Sequence, residues 1–340
     1  YKVGIVGSGF GVSTHLPSYA AHRAFEVVAL ASPHRAAAVA AERSIPYAFE
    51  TCRQMLSADI ELDVVSVASP PLAHYHDVLA ALAARKHVLC EKPMALNAAE
   101  AREMTQAAKI AGTACGIAHE FRFIPQRQAL RELISNDHMG PLRNIEITEL
   151  HEFLRADGDR KNNWWFTRQA GGGITGALFA HLIDASNWLA GRAPQKVCGM
   201  ERTANVHRRD VCGAFTSEVA DGVGALIDYG DGLISRLTCD ATVRVASNTI
   251  AVHGEAQSAV ASGESALEVR LFTIDQFETS ELNCTPFKYA KFASVGANVP
   301  MFMALLDEFQ AQIETGKSAL PTFEDGLATQ GVLQTVGYCV

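Results

Sequence analysis

Apolar residues in the first 120 positions fall into short, near-continuous runs: KVGIVG (2–7), FEVVALA (25–31), LDVVSVAS (62–69), HVLCE (87–91) and TACGIAHEF (113–121). Runs of this kind are strands buried on both faces, as in a parallel sheet covered by helices. The segments between them carry helical patterns with readable ends. Ser69 is placed to cap a helix that has Pro70 and Pro71 in its opening turn and Val78, Leu79 and Leu82 as its apolar stripe. Asn97, three residues before Glu100, starts another helix, and Gly112 ends it. Strand and helix alternating in this way predict βαβ units.

Near residue 121 the rhythm changes. The amphipathic pattern of Gln126 to Ser135 puts Ala129, Leu130, Leu133 and Ile134 on one face, and a Gly140-Pro141 turn leads to the strand RNIEITELHEF (143–153). An apolar helix at about 171–190 follows, and then alternating strands: KVCGMERTANV, FTSEVADGVGALIDY, GLISRLTCDATV, NTIAVHG and ALEVRLF, with Gly230-Asp231-Gly232 as a hairpin turn. Strands without intervening helices predict a mostly antiparallel sheet with one open face. Two late helices are expected, one from Pro300 with Phe302, Leu305, Leu306, Phe309 and Ile313 inward. The other starts at Thr322, with Asp325 in the position of a capping carboxylate.

Length and composition turn this pattern into an architecture. A chain of 340 residues suits two domains, since single cores stop growing near about 250 residues. The expected division is 1–121, an α/β dinucleotide-binding domain of Rossmann type, and 122–340, an α+β domain for substrate and oligomerisation whose last helix packs back on the first domain. The net charge of −8 argues against a nucleic-acid groove or an anionic lipid surface as partner. No apolar run approaches the roughly 20 residues that span a bilayer. The chain lacks an initiator Met but starts directly on a strand, with no signal segment ahead of it. The eight cysteines are scattered without a CxxC pair, which suits reduced thiols. A cytoplasmic location is expected.

Gly7-Ser8-Gly9-Phe10-Gly11-Val12 follows the first strand and opens a helix pattern. Gly7 allows the tight turn, and Gly9 lets the backbone approach a pyrophosphate lying against the helix N-terminus. With Phe10 and Gly11 they form the candidate cradle. Position 12, where GxGxxG has its third glycine, is Val12, and Gly11 takes over part of that packing role. An NAD site usually holds its ribose with an acidic residue at the end of the second strand. Here Ala31-Ser32-Pro33-His34-Arg35 stands there without a carboxylate, and Ser32, His34 and Arg35 suit a 2′-phosphate. NADP is favoured, with NAD as the alternative.

The segments GSGFGVSTHLP (7–17), VVSVASPPLAHYHDVLAALAARKHVLCEKPMALN (64–97), EFRFIP (120–125), GGGITGALFAHLIDASNWLAG (171–191) and FEDGLATQ (323–330) resemble the glucose–fructose oxidoreductase, inositol dehydrogenase and rhizopine catabolism (Gfo/Idh/MocA) family. The resemblance covers nearly the whole length, and Glu91-Lys92-Pro93 is its most specific element. It implies that Lys92 stands beside the nicotinamide and contacts the reacting oxygen, and that His181 is the second catalytic residue. It groups Ser69, Pro70, His74 and Glu91 with Lys92 around the cofactor. It also puts Arg122 at the domain junction, where Arg122, Trp165 and His181 become the substrate-side candidates. A lysine at a strand's carboxyl end, hemmed in by protein, is a usable proton partner near neutral pH. If the helix carrying His181 starts near residue 176, its positive end favours a neutral imidazole. His74-Tyr75-His76 has no third ligand at sensible spacing, and no metal site is expected.

The chain departs from the family where many members read Asp-x-Gly-x-His. It has Ala177-Leu178-Phe179-Ala180-His181, without the relay carboxylate and with Phe179 for the glycine, which predicts a bulkier and more apolar pocket wall. The resulting expectation is an NAD(P)-dependent oxidoreductase that transfers hydride to or from a secondary alcohol or ketone, a sugar or cyclic-polyol derivative. It would act as a homodimer or homotetramer through the C-terminal sheet. The resemblance also leaves open an NAD-retaining glycoside-cleaving enzyme and a non-catalytic dinucleotide-binding sensor.

Overall fold

Strands β1 (Lys2–Val6), β2 (Glu26–Ala31), β3 (Tyr47–Phe49), β4 (Val64–Val67), β5 (His87–Cys90) and β6 (Cys115–Ile117) form one parallel sheet in the order β3-β2-β1-β4-β5-β6. The computed structural model of the chain describes residues 1–157, 160–263, 268–273 and 276–338. Five of these strands lie within the apolar runs. β3 does not show in the pattern, because it is a three-residue edge strand with little buried surface. Helices α1 (Leu16–Ala21), α2 (Ala36–Arg43), α3 (Cys52–Ser57), α4 (Pro71–Ala83) and α5 (Ala98–Ala111) connect the strands. The core between them is built from Val65, Val67, Val88, Met55, Val78, Leu82 and Met104. Asn97 caps α5 by accepting from the Glu100 N–H at 3.0 Å. Ser69 does not cap α4: its hydroxyl donates to the Asp77 carboxylate at 3.0 Å, and Pro70 holds the N-cap position.

Backbone contacts divide the chain into two units, Tyr1–Glu120 with Phe287–Leu327, and Phe121–Pro286 with Ala328–Val340. In the first unit a late segment covers the β6 edge. The Ile117 N–H donates to Pro321 O at 2.9 Å, and Gly116 leaves the space that Leu320 fills. Helix α8 (Val299–Thr315) packs on α1, with Phe302 against the rings of His15 and Tyr19 and Phe309 stacked on Phe25.

The second unit centres on a mixed sheet of eight strands among the described residues. They are β7 (Leu142–Leu150), β8 (Lys196–Arg202), then, beyond a separate hairpin of β9 (His207–Asp210) and β10 (Gly213–Thr216), β11 (Gly222–Gly230), β12 (Leu233–Asp240), β13 (Ser247–Gly254), β14 (Gln257–Ser262), β15 (Glu268–Thr273) and β16 (Gln276–Asn283). The order is β16-β15-β14-β13-β7-β12-β11-β8, antiparallel except where β12 meets β7. The sequence stretch 215–229, expected as one strand, is two. The buried Asp221 carboxylate accepts the N–H groups of Ala204 and Asn205 at 2.8 Å, so the chain turns there instead of continuing the ladder. Residues 266–267 of the expected strand ALEVRLF lie outside the described residues. Helices α6 (Pro125–Ser135) and α7 (Ala180–Ala190) lie over one face of the sheet, where Ile145, Ile147, Ile227, Leu237 and Val252 meet Leu130, Leu133, Ile183 and Leu189. Residues 322–325 form the predicted capping box ahead of α9 (Phe323–Val336).

Candidate active site

In an open parallel sheet of this order, ligands bind outside the carboxyl ends of the strands, where the strand order reverses between β1 and β4. The sequence-predicted cofactor residues gather at those ends. Gly7 follows β1 with φ +110°, and a Cβ there would lie 2.2 Å from Ala68 O, which follows β4. Gly9 is the opposite case, since a Cβ built on it meets nothing within 4 Å and its surface is open to a ligand. Gly11 packs against Ile5 and Ala68, so it performs the helix-to-strand packing expected of the third glycine. The helix it opens starts with a π turn, Gly11–His15, before α1. The residues of this loop therefore fit a dinucleotide.

At the end of β2, the Ser32 hydroxyl donates to Ser8 Oγ at 2.8 Å and so joins the glycine loop to the end of β2. Arg35 is exposed at the N-cap of α2, after His34 with φ 62°. Residues 31–35 include no carboxylate.

His74 is buried between two backbone carbonyls, Nε2 2.8 Å from Ser69 O and Nδ1 3.0 Å from Pro93 O. It ties the loop after β4 to the loop after β5. Burial pushes its pKa below the ordinary value of 6.5, against the opposing pull of the Ser69 carbonyl, Glu91, the Pro93 carbonyl and Asp77. A depressed folded-state pKa means the unfolded chain takes up this proton first as pH falls. Stability from this group is complete above about 6.5 and declines below it until the folded pKa is passed. Urea unfolding between about pH 7.5 and 5 is expected to show a shallower pH slope in His74→Gln than in the parent. The difference should reach at most about 1.4 kcal/mol per pH unit, and equal slopes would refute this reading.

After β5, Glu91 and Lys92 occupy the strand's carboxyl end. The Glu91 carboxylate turns inward: Oε1 lies 2.9 Å from His15 Nε2, and Oε2 accepts the Lys92 backbone N–H at 3.2 Å. Lys92 Nζ lies 4.0 Å from the same Oε2, with the side chain 14% exposed. Burial, the largest influence, pushes the Glu91 pKa up. The His15 hydrogen bond and the charges of Lys92, His15 and His74 outweigh it and leave the carboxyl below its usual range.

In the second unit, His181 stands on α7 at 2% exposure, its ring stacked on Phe121 at 4.0 Å and 13°. A π turn, Thr175–Phe179, runs into α7. His181 therefore sits inside a continuous helical run and not at its positive end, because the preceding turn already occupies that position. Phe179 is fully buried in the core of this unit, so it does not form the apolar pocket wall that its place in the motif predicts. Helical spacing is the reason, since two residues along a turn point to different faces.

Arg122 makes a forked ion pair with Asp184, Nε to Oδ2 at 2.8 Å and Nη2 to Oδ1 at 2.6 Å, both side chains buried. Breaking such a pair by removing one partner costs roughly 3–5 kcal/mol. The fork ties the turn carrying Phe121 to the helix carrying His181. Arg127 lies 5.4 Å over the Phe121 ring and pairs with the buried Glu149 at 2.8 Å. Trp165 is 7% exposed in the core with the Arg160 guanidinium 4.2 Å above its ring, and Trp164 is the partner that reaches solvent. Sequence reasoning missed Ser8, His15, Phe121 and Asp184. The His beside the glycine loop was visible, but its partner lies 76 positions away.

Residues 1–119 match the profile of the oxidoreductase family with an NAD-binding Rossmann fold, and residues 127–260 match the GFO/IDH/MocA C-terminal domain. An uncharacterized oxidoreductase of Synechocystis sp. is 35% identical over 193 residues, 56% of this chain and 52% of its own length. The chain thus spans about half of that relative. The trans-1,2-dihydrobenzene-1,2-diol dehydrogenase of Sus scrofa is 31% identical over 255 residues, 74% of this chain and 70% of its own length. A solved structure of levoglucosan dehydrogenase in complex with NADH and levoglucosan shares the fold, with a TM-score of 0.87 and 24% identity, covering 98% of this chain and 95% of that one.

Proposed function

The chain belongs to the Gfo/Idh/MocA family of oxidoreductases, and from that premise we propose that it is an NADP-preferring dehydrogenase or reductase acting on a secondary alcohol or its ketone in a sugar or cyclic-polyol derivative. The observation that carries this reading is Lys92, held at the carboxyl end of β5 next to a buried carboxylate, in a unit whose glycine loop leaves open space at Gly9. The names of two similar proteins, a diol dehydrogenase and a levoglucosan dehydrogenase, support a cyclic hydroxylated substrate.

When bound, the nicotinamide cofactor supplies or accepts the hydride at the substrate carbon. The backbone of Gly9, Phe10 and Gly11 would hold its pyrophosphate, with Ser69 and Pro70 beside them, and Ser8, Ser32 and Arg35 would bind its adenosine ribose. Lys92 donates a hydrogen bond to the reacting oxygen and stabilises negative charge there. His181 exchanges the hydroxyl proton: it accepts that proton in oxidation and returns it in reduction. Phe121, held by the Arg122–Asp184 fork, fixes the plane of the imidazole. Arg122 thus serves the substrate through His181, and Trp165 shapes the unit from its core.

The open sheet face carries Met200, Leu226 and Ile234, 72%, 49% and 41% exposed, on the neighbouring strands β8, β11 and β12. This apolar strip supports the homodimer or homotetramer of the same proposal. A cytoplasmic location belongs to it as well.

Separate titrations with NADPH and NADH, followed by a screen of sugars, polyols and their ketones for a change in reduced-nicotinamide absorbance, test the activity. For the cofactor preference, Arg35→Ala is expected to weaken NADPH binding roughly ten- to hundred-fold, the effect of losing a hydrogen bond to a charged group, while NADH binding stays the same. Equal losses for both cofactors would remove Arg35 from the site. Tighter NADH than NADPH binding by the parent would reverse the assignment.

A further inference from the structure

The reading of Lys92 as the reactive ammonium raises the question of what holds it. Beneath the loop after β5 runs a buried hydrogen-bond chain that starts at Tyr19 on α1. Tyr19 Oη donates to Ser66 Oγ at 3.2 Å, Ser66 Oγ lies 2.8 Å from His15 Nδ1, and His15 Nε2 lies 2.9 Å from Glu91 Oε1. A carboxylate only accepts, so His15 Nε2 donates to Glu91, and in the neutral imidazole Nδ1 accepts from the Ser66 hydroxyl. Every donor in the chain then points the same way, toward Glu91. The His15 ring has no room to turn, being fully buried with Phe302 at 4.2 Å and Phe10 at 5.8 Å. The far oxygen of Glu91 accepts the Lys92 N–H and faces its ammonium.

We propose that Glu91 and His15 are positioning residues for Lys92: His15 locks the Glu91 carboxylate from inside the fold, and the carboxylate fixes the loop and aims the ammonium. The inference rests on the proposed role of Lys92 and goes beyond it by assigning two residues that never touch substrate. Family position alone puts Glu91 at the cofactor, whereas this geometry turns it away. The ionisable groups facing Glu91 are His15 from the π turn, His74 from α4, Lys92, and the Cys90 thiol, with Asp77 acting on His74 from α4. Of these, His15 meets the Glu91 carboxylate through its ring and Lys92 through its backbone N–H.

The test compares Glu91→Gln, His15→Ala and His15→Gln with Lys92→Met, each with its melting temperature measured. In Glu91→Gln the anion 4.0 Å from the ammonium is gone, so the neutral amine is favoured. The limb of the pH–rate profile governed by Lys92 should move down by about one pH unit or more. The lysine Cε signal that Lys92→Met removes from the carbon-13 NMR spectrum should titrate lower by the same amount. The kcat should fall about ten-fold or more with KM changed less than about three-fold. His15→Ala should lower kcat similarly, and His15→Gln, whose amide can donate to Glu91 and accept from Ser66, should recover most of it. If Glu91→Gln leaves both the Cε titration and kcat unchanged while Lys92→Met is inactive, the positioning role is wrong and the role of Lys92 stands. If Lys92→Met itself turns over at the parent rate, both fall.

Discussion

Lys92→Met is expected to lower kcat by roughly a thousand- to ten-thousand-fold, the combined loss of a proton partner and of charge stabilisation at the reacting oxygen. Methionine keeps the length and apolar stem of the side chain but has neither charge nor donor. The Glu91 carboxylate keeps its bond from His15 and the backbone N–H of residue 92, so the fold has no cause to fail. Reduced-cofactor binding, followed by fluorescence, should stay within about three-fold of the parent, because the contacts proposed for the pyrophosphate and ribose lie at other strand ends. Single-turnover measurements with enzyme in excess would place the loss in the chemical step. A variant that keeps a tenth or more of the parent rate would remove Lys92 from the mechanism.

His181→Asn should cost roughly a hundred- to a thousand-fold in kcat, within the usual range for one acid–base group. Asparagine can still hydrogen-bond a hydroxyl but cannot take its proton. The limb of the pH–rate profile that belongs to the imidazole should therefore vanish, whereas a merely structural histidine would leave the profile's shape unchanged. The Arg122–Asp184 fork lies one helical turn away and is untouched by the substitution, so the local fold should hold. KM is expected to change much less than kcat. A bell-shaped profile that survives in the variant would mean that another group moves the proton, and the missing carboxylate at Ala177 would then need a different substitute.

How legible these sites were depended on whether the signal was local. The glycine loop and the caps at Asn97 and Thr322 are contiguous in the chain and could be read from spacing, and Glu91-Lys92-Pro93 from the family resemblance. Strands of the parallel sheet were readable because burial on both faces makes each an apolar run. The short edge strand β3 and the hairpin β9–β10 bury little on either face and left no such trace. The helical run that carries His181 begins with a π turn at Thr175, close to the start expected near 176, and His181 lies inside that run and not in its first turn.

From sequence alone came the two-domain α/β and α+β plan, the cofactor loop, the absence of a ribose carboxylate after β2, and Lys92 and His181 as the pair to examine. The first three rest on periodicity, capping or a contiguous motif, and so on interactions within a few residues, whereas the pair of Lys92 and His181 rests on the family resemblance. Only the tertiary structure decided that Phe179 and Trp165 belong to the core, that Ser69 serves Asp77, that Phe121 stacks on His181 under the Arg122–Asp184 fork, and that Glu91 faces His15. These are choices of side-chain direction and of partners 60 or more positions apart, apart from the short Ser69–Asp77 link. They are settled by which groups must be buried together and still satisfy their hydrogen bonds, a condition that the packed fold imposes and the linear pattern does not contain.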